Sequence, residues 1–315
     1  MKLGVMTVIL GAKPAQEAFC YLSSLGVQTV EIGAGGYPGT AHLNPKEFLE
    51  NPHAASSYKD MLKRYNLEIS ALSTHSNHTH PQKEIAVKAH NDFIDTCKAA
   101  EKLGVDTVVT FSGCPGDHKG AEYPNWVTCL WPDDFSAVLE YQWNDVLIPY
   151  WKSAAKEAAD YGVTRIALEM HPGFCVYNPY TLLKLREAVG ECIGANFDPS
   201  HLFWQQAKPS QAIKALNGAI YHFHAKDTNL NAANINVNGV LDTNPSRDIL
   251  DKSWAFCTVG YGHDILEWKG IISALAAIGY DRSISIEHED SLMSVNEGLE
   301  KAVSFLQQVL IYKKV

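Results

Sequence analysis

The sequence predicts a closed (β/α)8 barrel, an α/β fold built as a single domain. Eight short runs of β-forming residues alternate with segments of helical periodicity, which is the count that a closed barrel requires. The length of 315 residues accommodates this fold with insertions, because about 250 residues make a typical barrel. A doubly wound open sheet is the main alternative, but the Gly-rich phosphate turn that often follows its first strand is missing here.

The predicted elements follow one another in regular alternation. In chain order, the predicted strands cover residues 2–8, 28–33, 67–73, 105–111, 164–169, 193–198, 219–224 and 283–287. The predicted helices lie near 14–25, 45–65, 82–103, 136–161, 179–188, 208–217, 267–279 and 292–312. The segment 82–103 carries the clearest helical pattern, with apolar residues recurring at a spacing near 3.6. Gly104 follows it as a helix-ending residue.

Two connections are too long for ordinary loops, residues 112–135 after the fourth strand and 226–266 after the seventh. Both follow the carboxyl end of a strand, which is the face of a barrel where active sites are built. We therefore expect lids or specificity loops at these positions. No Pro/Ser-rich linker or break in composition divides the chain, so residues 1–315 are predicted to form one barrel domain with two long rim loops.

The composition is that of an acidic globular protein. Hydrophobic residues make up 46% of the chain, which excludes disorder, and the formal net charge is −9. This charge and the lack of a Lys/Arg run disfavour nucleic acid as a partner. The seven scattered cysteines are typical of reduced thiols. The stretch that follows Met1 has a strand-like pattern, so we expect no signal peptide, and no apolar run approaches the roughly 18 residues needed to cross a bilayer. We expect a cytoplasmic protein that does not bind membranes; a homo-oligomer stays open.

The last four predicted strands each end in a potential metal ligand. The ends read A-L-E-M-H at Glu169, N-F-D-P-S-H at Asp198, H-F-H-A-K-D at His224 and I-S-I-E-H at Glu287. Side chains along a barrel strand alternate between the interior and the surrounding helices. Each of these four residues has the parity opposite to that of its large apolar neighbours, so we expect all four side chains to point inward at the catalytic rim.

Three carboxylates and one imidazole in a small space require either strongly raised pKa values or a cation among them. A divalent metal is the simplest solution. Oxygen ligands with one nitrogen favour Mn²⁺, Mg²⁺ or Co²⁺, of which we expect Mn²⁺, with Zn²⁺ left open. Four protein ligands leave two octahedral positions for substrate oxygens.

These strand ends resemble the xylose isomerase-like TIM-barrel family of sugar isomerases and epimerases. The similarity spans nearly the whole chain and includes the stretch V-G-Y-G-H-D-I-L-E-W from Val259 to Trp268. The ketose 3-epimerase branch provides the mechanistic parallel. The resemblance implies a metal site made of four residues, namely Glu169, Asp198, His224 and Glu287. It further implies that the two glutamates transfer protons and that His201 binds the substrate.

The predicted reaction is epimerisation or isomerisation of a keto sugar, a small-molecule substrate. The carbonyl oxygen and the adjacent hydroxyl oxygen chelate the metal, which stabilises the charge that develops when the intervening C–H is deprotonated. Glu169 and Glu287 then exchange protons with the two faces of a metal-bound cis-enediolate. Loss of a β-substituent would instead give elimination. The second candidate is therefore a lyase or dehydratase that acts on an inosose or a 3-keto-glycoside at the same metal site.

Further residues are candidates for contact with the sugar, namely His201, His75, Lys226, Trp126 and His171. Lys226 stands near the place where the ketose epimerase branch carries an arginine, and it supplies a point charge instead of a planar fork. Trp126 lies in the first long rim segment, and an aromatic face suits the C–H face of a sugar. No phosphate-binding turn follows the last two strands, so we expect an unphosphorylated sugar or keto-sugar derivative.

A third candidate function comes from the apurinic endonuclease branch of the same superfamily, which uses three zinc ions to cut DNA. Asp198, His201 and Glu287 are compatible with it. However, the fourth strand ends in Thr110-Phe111 without a histidine, and residues 228–262 contain none to complete a third metal site. The net charge of −9 also opposes DNA binding, so this candidate ranks last.

Overall fold

The computed structural model describes residues 1–246 and 248–312. Its strands are β1 Lys2–Met6, β2 Thr29–Gly33, β3 Glu68–Ser73, β4 Thr107–Phe111, β5 Arg165–Glu169, β6 Ile193–Phe197, β7 Ile220–Ala225, β8 Asp227–Leu230, β9 Trp254–Cys257 and β10 Ser283–Ile286. Its α-helices are α1 Ala15–Ser24, α2 Pro45–Glu50, α3 Ala54–Arg64, α4 Lys83–Leu103, α5 Asp133–Glu140, α6 Ile148–Asp160, α7 Pro179–Val189, α8 Pro199–Trp204, α9 Pro209–Ala215, α10 Ala232–Asn238, α11 Ile265–Ala277 and α12 Val295–Val309.

Eight of these strands close into a parallel barrel, in the spatial order β1-β10-β7-β6-β5-β4-β3-β2. The barrel is closed between β1 and β10, where Lys2 pairs with Ser283 and Val5 pairs with Ile286. The predicted (β/α)8 fold is confirmed. Both ends of every predicted strand lie within two residues of the corresponding ends of an observed barrel strand. Among the described helices, none is long and apolar enough to cross a membrane.

The helices differ from the prediction where local chemistry interrupts them. The predicted helix 45–65 is two helices, α2 and α3, because Pro52 between them cannot donate a backbone hydrogen bond. A short helix that was not predicted, α8, follows β6 directly. Asp198 is its N-cap and accepts a hydrogen bond from the backbone N–H of Ser200 at 2.8 Å, and Pro199 takes the first helical position. This cap fixes the direction of the Asp198 side chain.

The second long rim segment is not an irregular loop. Strands β8 and β9 form an antiparallel hairpin in which Asp227 pairs with Cys257 and Leu230 pairs with Trp254. The Asp227 carboxylate accepts backbone hydrogen bonds from Gly260 at 2.9 Å and from His263 at 3.1 Å. One buried carboxylate therefore ties the start of this segment to its end. By contrast, residues 112–132 of the first rim segment contain neither helix nor strand.

The barrel interior is narrow and polar at the amino-terminal ends of its strands. Thr29 and Ser283 are hydrogen-bonded there at 2.6 Å between their hydroxyl oxygens. A β-carbon added to Gly4 would lie 2.1 Å from the Ser283 hydroxyl, so only glycine fits. Large apolar side chains such as Trp151 and Phe93 are fully buried between strands and helices instead. The layer outside the strands therefore provides most of the hydrophobic stabilisation, and the barrel axis stays available for polar groups.

Candidate metal centre

The four predicted ligands lie together at the carboxyl ends of four adjacent strands. Glu169 ends β5, Asp198 follows β6, His224 lies on β7 and Glu287 follows β10. Each offers one ligand atom, and the four atoms all lie within 4.8 Å of one another. Three of these residues are buried, and the Glu287 side chain is 21% exposed. The alternation of side chains in the sequence thus brings together the residues that it selects.

The chemistry of this group fits a divalent cation. Asp198 Oδ2, His224 Nδ1 and Glu287 Oε2 are buried and make no hydrogen bond of good geometry with the described residues. Each of them lies only within ion-pair distance of another charged group of the site. The other ligating atom of two of them is already used, since Asp198 Oδ1 caps α8 and His224 Nε2 contacts a carboxylate. Buried polar atoms without hydrogen bonds are costly unless a partner satisfies them. Three oxygens and one nitrogen that face a common point would be satisfied by one metal ion.

Lys226 forms ion pairs with two oxygens of this group. Its ammonium nitrogen lies 3.1 Å from Asp198 Oδ2 and 2.9 Å from Glu287 Oε2. Burial would lower the pKa of Lys226, but the charges of Asp198 and Glu287 outweigh this effect and raise it well above its usual value. Lys226 is therefore positively charged at neutral pH. Burial raises the pKa of Asp198 to about 6, with Lys226 opposing the shift and the charges of Glu169 and Glu287 adding to it.

Glu31, on β2, holds His224 from the opposite side of the barrel. It is fully buried, and its Oε2 accepts a hydrogen bond from His224 Nε2 at 2.8 Å and one from the Ser285 hydroxyl at 3.0 Å. Burial would raise the pKa of Glu31, but His224 and His222 lower it to about 2. The anionic carboxylate fixes the imidazole so that Nδ1 faces Glu287 Oε2 at 2.9 Å.

Glu31 is not among the site residues predicted from the sequence. The signal was available, because Glu31 lies between Val30 and Ile32 in a buried strand and so has the inward parity. Glu31, His222 and His224 form a second group whose ligand atoms lie within 4.8 Å of one another. This group shares His224 with the first, and we interpret it as the support of that ligand.

Histidines and an amide surround Glu169. His75 Nε2 lies 2.9 Å from Glu169 Oε2, and His201 Nε2 lies 3.0 Å from Glu169 Oε1. Asn196 donates a hydrogen bond to Glu169 Oε2 at 3.1 Å. Burial would raise the pKa of Glu169, but the hydrogen bonds from His201, His224 and His75 hold it well below its usual value. Glu169 is therefore an oriented anion.

A cavity of about 360 Å³ is lined by two of the four ligands, Glu169 and Glu287. Its lining includes the predicted residues His75, Glu169, His171, Lys226 and Glu287. The other lining residues are Met6, Val8, Ile9, Tyr37, Pro38, Phe111, His288 and Glu289. His201 lies beside this cavity, with its ring centroid 4.1 Å from that of His171. Burial lowers the pKa of His171 to about 3, with the charge of His201 adding to the effect.

Trp126, which the sequence predicts to contact the substrate, is not among the described residues that line this cavity. The Trp126 ring packs edge-on against Tyr177 at 5.4 Å and lines a separate cavity with Cys175 and Lys184. The rim segment that carries Trp126 packs against the outer helices, because the Gln142 side-chain amide donates hydrogen bonds to backbone carbonyls of that segment, including that of Asn125 at 2.6 Å. Membership of a rim segment therefore did not predict which side of the rim Trp126 faces.

Fold and site together define a parallel (β/α)8 barrel with a candidate metal centre at the carboxyl ends of its strands. A family model described as "Xylose isomerase-like TIM barrel" matches residues 19–309. The chain belongs to this family. It is also 37% identical over 313 residues to the uncharacterized protein YfiH of Bacillus subtilis (strain 168), with 98% of this chain and 99% of YfiH covered.

Solved structures share the fold at low sequence identity. A D-tagatose 3-epimerase-like protein is 20% identical with a TM-score of 0.63, and 98% of each chain is covered. The probable 3-DHS dehydratase AsbF from Bacillus anthracis is 16% identical with a TM-score of 0.68, over 98% of this chain and 99% of AsbF. The IOLI protein with a bound zinc atom is 17% identical with a TM-score of 0.65, over 98% of each chain. These likenesses concern the fold.

Proposed function

We propose that the protein is a divalent-metal-dependent epimerase or isomerase of a keto sugar. The proposal depends on one observation, which is the convergence of four ligand atoms, one each from Glu169, Asp198, His224 and Glu287, within 4.8 Å of one another at the carboxyl ends of adjacent strands. Glu169 and Glu287 lie at the two ends of this row of four adjacent strands. That placement supports proton transfer on two faces of one carbon, because each glutamate approaches the common point from a different side.

The residues of this chain have separate tasks in the proposed reaction. A divalent cation held by Glu169, Asp198, His224 and Glu287 would stabilise the negative charge that develops when a C–H next to the carbonyl is deprotonated. One glutamate takes that proton and the other returns one, which inverts the carbon through a cis-enediolate. His75 and His201 orient the Glu169 carboxylate at 2.9 and 3.0 Å. Lys226 lies 2.9 Å from Glu287 and keeps it ionised before the reaction.

A lyase or dehydratase is the second candidate, and Lys226 favours it. A β-elimination needs an acid that protonates the leaving group, and Lys226 is a charged, buried ammonium that lines the cavity beside Glu287. The substrate would then be an inosose or a 3-keto-glycoside. Formation of an unsaturated product, or release of an aglycone, would identify this reaction.

Solvent exchange tests the proposed function. The protein is stripped of metal, loaded separately with Mn²⁺, Mg²⁺, Co²⁺ or Zn²⁺, and incubated in D₂O with D-fructose, D-tagatose or D-psicose. We expect metal-dependent incorporation of deuterium at the carbon next to the carbonyl, measured by NMR. Glu169→Gln and Glu287→Gln should stop it, whereas Glu84→Gln, an exposed glutamate on α4, should not. Full exchange in both site variants would show that the assignment of the acid/base pair is wrong.

A further inference from the structure

A second and larger cavity adjoins the catalytic one. Its volume is about 670 Å³, against about 360 Å³ for the catalytic cavity. Ligand-binding cavities typically span about 300–1,000 Å³, so the first is at the small end of that range and the second lies within it. The larger cavity is lined by the β9 strand, the residues before it and the segment after β10, namely Asp242, Asn244, Ile249, Lys252, Ser253, Trp254, Ala255, Phe256, Glu289, Asp290 and Ser291.

The two cavities meet at one carboxylate and one aromatic ring. Glu289 lines both of them, and its Oε2 lies 3.5 Å from the Lys226 ammonium nitrogen. Phe256 lines the larger cavity, while the Lys226 nitrogen lies 4.6 Å from its ring centroid on the catalytic side. The Phe256 ring also meets His201 edge-on at 5.3 Å. A ligand placed beside Lys226 is therefore adjacent to the entrance of the larger cavity.

The lining of the larger cavity suits a hydroxyl-rich ring. Trp254 provides an aromatic face whose orientation is fixed by two contacts. Its ring stacks on Trp204 with 4.6 Å between the ring centroids, and its indole N–H donates a hydrogen bond to the Val240 carbonyl at 3.0 Å. Apolar faces of this kind pack against sugar C–H groups. Carboxylates and hydroxyls around it offer acceptors and donors for sugar hydroxyls. Lys252 is the one cation in the lining among the described residues, so the excess of carboxylates opposes a phosphate or carboxylate group.

We propose that the substrate is a keto sugar that carries a second, uncharged sugar-like substituent, and that the larger cavity binds this substituent. The inference rests on the proposed function for the reacting ring, which would occupy the catalytic cavity. It adds the class of substrate, a glycoside-like derivative in place of a free monosaccharide. Trp254 and Phe256 would pack against the substituent, and Glu289 would accept a hydrogen bond from a hydroxyl group at the junction.

Binding of simple ketose disaccharides tests this inference separately from the chemistry. The probes are turanose, maltulose, leucrose and isomaltulose, which carry a glucosyl group on different oxygens of fructose, with D-fructose as the reference. Dissociation constants are measured calorimetrically with the Mn²⁺-loaded protein. We expect at least one disaccharide to bind about tenfold tighter than D-fructose, the gain of one or two satisfied contacts.

A variant that fills the larger cavity provides the decisive comparison. Ser291→Trp places a large ring at its exposed edge and should bring the affinity ratio of disaccharide to D-fructose close to one. Ser304→Trp, on the exposed face of α12, is the matched control and should keep the ratio. Equal affinity for all five sugars, absence of disaccharide binding, or an unchanged ratio in Ser291→Trp would overturn the inference. Deuterium exchange into D-fructose is scored independently, so a failure of the larger cavity leaves the proposed function standing.

Discussion

Replacement of Glu31 by glutamine tests whether the candidate metal centre depends on a carboxylate across the barrel. The substitution keeps the shape of the side chain and an oxygen that accepts from His224, but it removes the negative charge. Hydrogen bonds that involve charged groups contribute about 1.5–3 kcal/mol and neutral ones about 0.5–1.5 kcal/mol. The difference of roughly 1 to 1.5 kcal/mol corresponds to about a tenfold weaker metal affinity.

Removal of the whole side chain should have a larger effect. Glu31→Ala leaves His224 Nε2 and the hydroxyls of Ser73 and Ser285 without the acceptor that they contact in the structure. Loss of a residue that orients a metal-ligating histidine typically costs 10- to 100-fold in metal affinity, and we expect the upper part of that range, about 100-fold. The two substitutions should therefore form a graded series.

The assay is a titration of metal-free protein with Mn²⁺ or Zn²⁺ in competition with a chelating dye at pH 7. Glu68→Gln is the matched control, because this glutamate lies on the neighbouring strand β3 with its side chain 69% exposed. Circular dichroism verifies that each variant is folded. If folded Glu31→Gln and Glu31→Ala both bind metal as tightly as the unmodified protein, Glu31 does not position His224 and the reasoning is refuted.

Four further predictions follow from features described above. Burial raises the pKa of Asp198 to about 6; burial would lower the pKa of His224, but the charges of Glu31 and Glu287 raise it well above its usual value. Metal must displace a proton from both ligands at low pH, so affinity should fall at least tenfold for each pH unit below 6, whereas a pH-independent affinity between pH 5 and 7 would contradict this. The raised pKa of Asp198 makes the folded metal-free protein bind a proton more tightly than the unfolded chain, so the contribution of Asp198 to stability, measured by urea unfolding, should decrease as pH rises from about 4 to 6. Gly4→Ala should lower the free energy of unfolding by about 1–3 kcal/mol through its clash with Ser283, whereas Gly270→Ala, in open space on α11, should raise it by up to about 1 kcal/mol. Trp126→Ala should leave kcat/KM for deuterium exchange unchanged. A tenfold lower kcat/KM would show that Trp126 does contribute to the substrate site.

The predictable part of the site came from short-range order. Alternation along a strand is a local property, and the rule that parallel strands present their carboxyl ends at one rim converts it into proximity. Those two facts were enough to bring Glu169, Asp198, His224 and Glu287 together. The same reasoning applied to β2 would have selected Glu31, but its partner His224 lies 193 residues away. Only the closed barrel shows that they face each other.

Three other features could not be predicted from local sequence patterns, namely strand β8, helix α8 and the direction of the Trp126 side chain. Strand β8 reads D-T-N-L, a short run without apolar alternation, and its strand character comes from pairing with β9. Helix α8 has only six residues, too few for a periodic signal, and its Asp-Pro-Ser cap was interpreted only as a ligand motif. The direction of Trp126 is set by Gln142 and Tyr177, which belong to other segments of the chain.

The Asp227 carboxylate ties the start of the second long rim segment to its end, and this has a consequence for how the substrate specificity of the barrel can change. The hairpin begins three residues after His224, yet both of its ends are fixed at one carboxylate, and a β-carbon on Gly262 would lie 2.3 Å from the Thr228 carbonyl oxygen. The described residues between positions 228 and 258 are therefore anchored at their base by one carboxylate. We expect substitutions far from this anchor to change the entrance to the cavities while the ends of the segment stay fixed, so that recognition of the substrate can change separately from the geometry of the catalytic strand.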